Sequence, residues 1–468
     1  MSQIELKLIK NILYIKNIRT FDYICSKNNT MVINRDFYIS KLLSKRDNGK
    51  VKIITGIRRC GKSFLLFNLY KDILLKEGVN ENNIIEIALD RKEHIRYRNP
   101  NLLYEYIMSR INHDEKFYVF IDEIQMSYKI KNQDVDEKLI PDEDKELIYT
   151  TFYDILNDLM SFKNIDVYVT GSNSKMLSKD IVTNFRDRGS EIMVFPLSFT
   201  EYYLISDMEK MDALEEYMMY GGMPLSVIEK DESEKKKYLQ SLHNNVFVKD
   251  IVERYNLKDD VLLGSLIDIL YSSVGSLTNT HKLSNTAESV MKIKSSDNTV
   301  KKYLDYLEDA FLFRSAKRYD VKGKRYFGTN LKYYATDIGL RNAKLNFRQY
   351  ERSHLMENVI YNELIIKGYS VDVGVVEVTK KMDGKNVQSQ HEIDFIVNNG
   401  SNKIYIQSSL NVDTEEKRQQ EIFSLKRSGD FYKKIVILYG NQKPVYDDYG
   451  IFYIGIIPFI FSMESILN

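Results

Sequence analysis

Residues 56–63 read Gly56-Ile57-Arg58-Arg59-Cys60-Gly61-Lys62-Ser63. The apolar run Val51–Thr55 precedes this stretch, and Phe64–Leu74, with apolar residues at helical spacing, follows it. The spacing G-x-x-x-x-G-K-[ST] between a strand and a helix is that of a phosphate-binding loop, whose glycines let backbone N–H groups point at an anion. In such a loop Lys62 reaches the β- and γ-phosphates, and the Ser63 hydroxyl ligates Mg²⁺. Residues 56–63 therefore predict nucleotide binding.

The composition is typical of a folded chain with several domains. The 468 residues are 43% hydrophobic and 28% charged, with a net charge of +1. A chain of this length predicts about two to four domains. The low net charge disfavours a uniformly basic surface for nucleic acid but allows a local basic patch.

Cysteine usage and hydropathy favour the cytoplasm. Cys25 and Cys60 are the two cysteines of the sequence, and so few disfavour a disulfide framework. The first residues lack the pattern of a signal peptide, and no apolar run is long enough for a membrane span. We therefore expect a cytoplasmic protein without membrane contact. For residues 1–30 two interpretations stay open: an internal start at Met31, or a short hairpin or helix packed on the next domain.

Strand and helix patterns alternate from about residue 33 to residue 205, which predicts an α/β domain with a parallel sheet over 31–206. Within it, Phe117–Gln125 is an apolar run that ends in two carboxylates, Asp122 and Glu123. A buried parallel strand would deliver both acids to the carboxyl edge of the sheet. There Asp122 is placed to hold Mg²⁺ and Glu123 to polarise an attacking water as general base. The alternative is a strand end capped by solvated acids.

A further strand is predicted over Ile165–Thr170, followed by the small polar residues Gly171-Ser172-Asn173. In P-loop ATPases with such an acid pair, a strand of this kind lies between the loop strand and the acid strand. Asn173 or Ser172 would then contact the γ-phosphate or the water, whereas a helix N-cap is the competing interpretation. The residues before this strand predict a solvated insertion over 128–145 and a helix over 146–161.

The motifs occur in an order that resembles a known family. The order is that of the prokaryotic AAA-type ATP-binding proteins, in which an ATPase is followed by a C-terminal PD-(D/E)xK nuclease-like domain of unknown function. The segments that carry the resemblance are Gly56–Ser63, Ile121–Gln125, Thr170–Ser174, Phe195–Tyr202, Tyr220–Pro224, Lys249–Arg254, Arg318–Lys324 and Lys332–Leu340. The resemblance extends from about residue 31 to the C-terminus, and it implies ATP as the nucleotide, with Mg²⁺.

The resemblance also implies roles for arginines. Arg188, or its near neighbour Arg186, would stand near the γ-phosphate of the same or a neighbouring subunit and neutralise transition-state charge. If the arginine comes from a neighbouring subunit, the protein is a homo-oligomer. The alternative interpretation is that it is a surface arginine on a loop, without contact to the nucleotide. The pair Arg58-Arg59 is a mark of the family, and either phosphate or acids of the domain are possible partners.

Residues 207–345 predict a helical and winged-helix-like domain. Helices are expected over 208–220, 233–255 and 261–275, within a region that is helical throughout 208–298, and over 299–311 with Thr299 as cap. Two strands over 311–319 and 324–334 would form a hairpin after that last helix. The cations Lys301, Lys302, Lys317, Arg318, Lys322, Lys324, Arg325 and Lys332 would form a basic face for DNA phosphates. A solvated hairpin in a helical domain that packs on the ATPase is the competing interpretation.

Residues 346–468 resemble the PD-(D/E)xK nuclease fold, an α/β restriction-endonuclease-like domain. Glu357 on a helix and Asp394 on a strand match two metal-binding carboxylates of that fold. The place of its acid-x-lysine motif holds Gln407-x-Ser409 instead, and an amide is a poorer ligand for a hard cation than a carboxylate. We therefore expect a degenerate, inactive nuclease-like site, and a solvated helix face at Glu415–Arg418 and Glu421.

Together these patterns favour a Mg²⁺-dependent ATPase that remodels or switches a partner, with DNA or a DNA-bound complex as the expected partner. One alternative is a nucleotide-gated interaction protein with little turnover. A second alternative is an ATP-controlled nuclease.

Overall fold

The computed structural model describes residues 32–132, 135, 139–142, 145, 148–172, 189–257, 260–328, 330–382, 385–400 and 402–468. Two units divide the chain, Met1–Arg35 and Asp36–Asn468. The described part of the first unit, residues 32–35, contains neither helix nor strand. The interpretations of residues 1–30 lie outside the described residues. All elements named below belong to the second unit.

The first part of this unit is a parallel α/β sheet. Its strands, with a short antiparallel pair β4–β5 beside them, are β1 (Val51–Thr55), β2 (Ile84–Ala88), β3 (Phe117–Asp122), β4 (Ile130–Lys131), β5 (Tyr149–Thr150), β6 (Ile165–Thr170) and β7 (Gly189–Met193). The parallel strands lie in the order β2-β3-β6-β1-β7. Strand β6 therefore lies between the loop strand β1 and the acid strand β3, which confirms the predicted placement.

Helices cover both faces of the parallel sheet. They are α1 (Asp36–Lys45), α2 (Lys62–Phe64, continued by the wide turns Leu65–Tyr70 and by Lys71–Lys76), α3 (Pro100–Arg110) and α4 (Phe152–Leu159), with 3₁₀ turns at Glu81–Asn83, Lys92–Arg98 and Ile124–Met126. Strands β1, β3 and β6 are buried along their whole length, as expected for strands covered on both faces. The helix predicted from residue 146 begins at Phe152 instead, because Thr151 and Asp154 form a capping box.

The middle of the chain is largely helical. Its helices are α5 (Phe199–Tyr203), α6 (Lys210–Tyr220), α7 (Pro224–Ile228), α8 (Glu232–Ser241, continued by the wide turns Leu242–Val248 and by Lys249–Arg254), α9 (Asp260–Ser272), α10 (Thr280–Met291) and α11 (Asp297–Asp309). The predicted cap of α11 is wrong: Ser296, not Thr299, is the N-cap, and its hydroxyl accepts from the Thr299 N–H at 3.1 Å.

A small antiparallel sheet follows these helices, in the order β8-β12-β9, from β8 (Leu277–Thr278), β9 (Phe313–Ala316) and β12 (Leu331–Ala335). The residues between β9 and β12 contain β10 (Arg318–Asp320) and β11 (Arg325–Tyr326), which pair with each other but belong to another sheet. The predicted hairpin is therefore divided between two sheets. Because β8 lies within 208–298, that region is not helical throughout. The winged-helix assignment of 207–345 stays a prediction.

The last part of the chain is a mixed sheet in the order β11-β10-β13-β14-β15-β16-β18-β17. Its further strands are β13 (Ser370–Met382), β14 (Lys385–Asn399), β15 (Asn402–Ser409), β16 (Lys433–Leu438), β17 (Val445–Tyr446) and β18 (Phe452–Gly455). The helices after α11 are α12 (Ile338–Lys344), α13 (Arg352–Ile366), α14 (Glu415–Lys426) and α15 (Ile456–Leu467). One face of this sheet packs on α13 and α15, and the other on α14. The nuclease-like assignment of 346–468 stays a prediction.

The parts of the second unit share continuous cores. One apolar cluster joins the loop-side face of the parallel sheet to helices α8 to α11 and strand β9. A second cluster joins α5 and α6 to α13, α15 and the mixed sheet. The helical region therefore packs on the parallel sheet without a break in the apolar core. Among the described residues, no helix is long and apolar enough to cross a membrane.

Candidate functional site

The phosphate loop, residues 56–63, curls between the end of β1 and the start of α2. Gly56 and Gly61 have φ values of 141° and 98°, a region that glycine enters without steric cost. A Cβ on Gly56 would lie 2.0 Å from the Val194 carbonyl oxygen, so no larger residue fits there. Arg59 also has a positive φ, 68°, and this left-handed residue helps the loop to close around an anion.

Lys62 lies inside this curl. Its side chain is buried, and Nζ donates to the carbonyl oxygens of Gly56 at 3.0 Å and Ile57 at 3.1 Å. The ammonium thus lies at the N-terminus of α2, where the backbone N–H groups also attract negative charge. A phosphate in the loop would replace these carbonyls as the partner of Lys62.

Asp122 and Ser63 meet at the carboxyl edge of the sheet. The Ser63 hydroxyl donates to Asp122 Oδ1 at 2.9 Å, and Thr170 at the end of β6 donates to the same oxygen. Burial raises the pKa of the Asp122 carboxyl, while the hydrogen bonds from Thr170 and Ser63 oppose that rise. A hydroxyl and a carboxylate on one edge form the donor set that Mg²⁺ takes beside a nucleotide. Ser63 and Asp122 therefore fit the predicted metal.

Glu123 is held in an unusual backbone conformation. Its φ is 53°, which costs energy for a residue with a side chain and is frequent at functional sites. Its N–H donates to Thr170 Oγ1 at 3.1 Å, and its Oε2 accepts from the Gln125 amide and, at 3.4 Å, from the Ser172 hydroxyl. Ser172, which follows β6, and Gln125, in the turn after β3, thus orient the carboxylate beside Asp122, as a general base requires.

Arg58 faces a helix of the middle region rather than the inside of the loop. Its Nη1 lies 3.1 Å from Asp250 Oδ1 on α8, and Asp250 also pairs with Arg254. The sequence left two possible partners for the arginine pair, phosphate or acidic residues. In the structure the partner of Arg58 is an acidic residue, Asp250. The contact connects the phosphate loop directly to the helical region.

Arg58→Ala is expected to leave nucleotide affinity within about 5-fold, because the exposed pair contributes at most about 1 kcal/mol. Lys62→Ala is expected to weaken binding by at least about 10-fold, since a charge-assisted hydrogen bond contributes about 1.5–3 kcal/mol. Titration with a fluorescent nucleotide analogue measures both. A loss for Arg58→Ala as large as that for Lys62→Ala would show that Arg58 leaves Asp250 to contact phosphate.

Three predicted catalytic residues, Asn173, Arg186 and Arg188, lie outside the described residues. Ser172, the alternative to Asn173, is described and contacts Glu123. The roles proposed for Asn173 and the two arginines therefore stay predictions.

The predicted contact with phosphate is wrong for two residues of the basic face, Arg318 and Lys332, because their side chains are buried. The guanidinium of Arg318 donates to Gln390 Oε1 at 2.9 Å and lies over the ring of Phe327. Lys332 is 3% exposed and points at carboxylates. The remaining cations of that face are exposed: Lys301, Lys302, Lys317, Lys322, Lys324 and Arg325.

The predicted C-terminal site residues lie close together. Lys332 Nζ on β12 lies 2.9 Å from Glu357 Oε1 on α13, 2.5 Å from Glu392 Oε1 and 3.8 Å from Asp394 Oδ1 on β14. We call these four residues the carboxylate centre. Burial would lower the pKa of Lys332, but the three carboxylates outweigh it and raise the pKa above its usual value.

Gln407 lies at the rim of the carboxylate centre. Its Oε1 is 3.4 Å from the Asp394 N–H, and its Nε2 is 3.5 Å from Glu421 Oε2 on α14. The expectation of a solvated Glu421 is therefore wrong, since α14 packs on the sheet and turns this side chain inward. Burial, followed by the charge of Asp394, raises the pKa of the Glu421 carboxyl.

Sequence reasoning missed several site residues. Thr170 is the last residue of β6 and Gln125 lies in the turn after β3, so their positions in the chain were a usable signal. Lys332 and Glu392 carried no such signal, because the carboxylate centre forms from strands of two sheets.

Known families and proteins are similar to this chain in sequence. A family profile described as "AAA domain" matches residues 48–203, and one described as "Domain of unknown function (DUF8612)" matches residues 211–351. An uncharacterized protein of Haemophilus influenzae is 33% identical over 412 residues, which is 87% of this chain and 93% of that protein. Uncharacterized protein MJ1544 of Methanocaldococcus jannaschii is 27% identical over 413 residues, 85% of this chain and 81% of that protein.

Two solved structures match over much of the chain at low identity. The Aeropyrum pernix ORC1 protein in complex with DNA is 11% identical, with 69% of this chain and 96% of that chain covered and a TM-score of 0.26. Cdc6p from Pyrobaculum aerophilum is 12% identical, with 73% and 98% covered and a TM-score of 0.25. Because both TM-scores are low, the fold assignment depends on the sheet order and on the AAA match.

Proposed function

Because the chain belongs to the family of the Haemophilus influenzae protein and contains an AAA domain, we propose that it is a Mg²⁺-dependent ATPase. The observation that carries the proposal is the cluster at one sheet edge: Ser63 and Thr170 both bonded to Asp122, with Glu123 oriented beside them. A nucleotide-binding protein without turnover needs the loop and a metal site. It does not need a carboxylate held in place by two neighbours, Gln125 and Ser172.

Each residue has a defined task in this proposal. The backbone N–H groups of the loop and Lys62 hold the phosphates, and Ser63 and Asp122 hold the metal. Bound Mg²⁺ supplies charge neutralisation at the phosphates. Glu123 accepts the proton of a water aligned with the γ-phosphate, and Gln125 and Ser172 keep its carboxylate in that orientation.

The hydrolysis cycle would act on a partner through the helical region. The Arg58–Asp250 contact connects the loop to α8, and the apolar cluster shared by α2, α8 and α11 supports a common movement. Asn173, and Arg188 or Arg186, would complete the site at the γ-phosphate. The direct test is release of phosphate from ATP by the wild-type chain with Mg²⁺. A wild type that binds ATP without turnover would favour the nucleotide-gated interaction protein.

We further propose that the partner is DNA or a DNA-bound complex. The elements α9, β8, α10, α11, β9 and β12 follow the order helix, strand, helix, helix, strand, strand, which is the order of a winged helix. Strands β10 and β11, which belong to the mixed sheet, lie between the last two. The exposed cations Lys301 and Lys302 lie on α11, the helix that precedes the two last strands. Exposed cations on such a helix and on the adjoining turn suit contact with phosphates.

The double variant Lys317→Glu/Lys324→Glu is expected to weaken duplex DNA binding and to make it less salt-dependent. The slope of log K against log salt should fall by about 1.8, because each neutralised phosphate contributes about 0.9. Fluorescence anisotropy over a salt series measures this. The control is Lys443→Glu, an exposed lysine far along the chain, which should not alter the slope. DNA binding that is absent, or independent of salt, would contradict the proposal.

A further inference from the structure

Lys332 connects two sheets through its side chain. Its strand β12 is the centre of the small sheet, where Lys332 is opposite Leu277 on one side and Ala316 on the other. The side chain leaves that sheet and ends between α13 and β14, among Glu357, Glu392 and Asp394. A buried ammonium among three carboxylates is uncommon and requires an explanation.

The fold that residues 346–468 resemble holds a divalent cation between such carboxylates. Mg²⁺ requires oxygens at about 2.0–2.1 Å in an octahedron. Here the oxygens of Glu357 and Glu392 lie 2.9 Å and 2.5 Å from an ammonium nitrogen, which are the distances of charge-assisted hydrogen bonds. A divalent cation at these oxygens would therefore lie beside the ammonium, and the two like charges would repel each other.

Two oxygens of the carboxylate centre have further partners. Glu357 Oε1 also accepts from the Tyr334 hydroxyl at 2.7 Å. Asp394 Oδ2 accepts from the Ser408 N–H at 2.8 Å and from its hydroxyl at 2.9 Å. In the described part of the chain, no group of three or more His, Cys, Asp or Glu is arranged to hold a metal ion. The residues present therefore do not fit the metal.

We propose that the Lys332 ammonium takes the place of the divalent cation in the carboxylate centre. The lysine satisfies the carboxylates from within the chain and ties the β12 sheet to α13 and β14. The centre then joins two parts of the protein and has no vacant position for a metal-bound nucleophile. This inference is independent of the ATPase activity, because it concerns residues that do not contact the phosphate loop.

The proposal predicts how the carboxylate centre responds to Mn²⁺ alone. Without nucleotide, wild type and Asp394→Asn should bind Mn²⁺ equally, as measured by electron paramagnetic resonance of free Mn²⁺. Lys332→Ala should gain one site, at least tenfold tighter than any in wild type, because the carboxylates lose their cation. Adding Asp394→Asn to Lys332→Ala should remove the new site. Any binding of Mn²⁺ at Ser63 and Asp122 is the same in all four proteins, because none of the substitutions changes that site.

Two results would overturn the proposal. One is a Mn²⁺ site in wild type that Asp394→Asn abolishes, since the metal would then bind beside the lysine. The other is a folded Lys332→Ala protein that gains no site. If Lys332→Ala does not fold alone, its refolding in millimolar Mn²⁺, followed by circular dichroism, becomes the measurement. Rescue by Mn²⁺ but not by K⁺ supports the proposal, and failure of Mn²⁺ to rescue overturns it.

Discussion

Glu123→Gln is expected to lower ATP turnover by about 10²–10⁴-fold, the usual contribution of a general base. The amide has nearly the shape of the carboxylate but cannot accept the proton of the attacking water. Binding should persist, since Lys62, Ser63 and Asp122 are unchanged. The variant should therefore retain ATP through gel filtration, whereas wild type converts it to ADP. Steady-state phosphate release and the bound nucleotide measure the two effects.

The control for Glu123→Gln is Glu105→Gln, the same change at an exposed position on α3. Its turnover should equal that of wild type. Turnover that survives in Glu123→Gln would remove Glu123 from the role of general base and point to another residue. Identifying what co-purifies with the ATP-loaded Glu123→Gln protein then tests the proposed partner.

Lys332→Met is expected to destabilise the protein by about 3–5 kcal/mol, the cost of removing one partner from a buried ion pair. Methionine keeps most of the length of the side chain, so the loss is mainly that of the charge. The carboxylates of Glu357 and Asp394 would remain buried, and that of Glu392 partly exposed, without their cation. Urea unfolding followed by circular dichroism measures the change, and Lys301→Met on the exposed side of α11 is the matched control. The control should change stability by less than about 0.5 kcal/mol.

The effect of Lys332→Met should depend on pH. Burial raises the pKa of Glu357 to about 7, even though the charge of Lys332 lowers it. Because the folded pKa exceeds the unfolded value of about 4.3, the folded state binds more protons between them, and stability falls as pH rises through this window. Without the ammonium that pKa rises further. The difference between variant and wild type should thus be larger near pH 8 than near pH 5.

A second substitution separates charge from packing at the carboxylate centre. Glu357→Gln added to Lys332→Met removes one uncompensated carboxylate, so the double variant should be more stable than Lys332→Met alone. The expected coupling is about 1–3 kcal/mol, as for contacting residues. Simple additivity, or equal losses at both pH values, would contradict a role for the ammonium charge.

Much of the parallel sheet and its site was predictable from local patterns. Residues 56–63 contain both the phosphate loop and the start of the helix that follows it. The apolar run that ends in Asp122 and Glu123 identifies a buried strand. Parallel strands end at one edge, so the meeting of Ser63, Asp122 and the end of β6 follows from the strand order. The contact of Arg58 with Asp250 did not follow, because the acid lies on a helix of another region.

The sequence by itself thus determined a phosphate loop, an acid pair and the strand that lies between them, since their chemistry is encoded in residues close along the chain. Only the tertiary structure decided that the side chains of Lys332 and Arg318 are buried. Both belong to a segment whose strands separate into two sheets, and this separation buries side chains that a simple hairpin would expose. The phosphate loop at Gly56–Ser63 could be recognised from spacing, whereas the carboxylate centre exists only where β12, α13 and β14 meet.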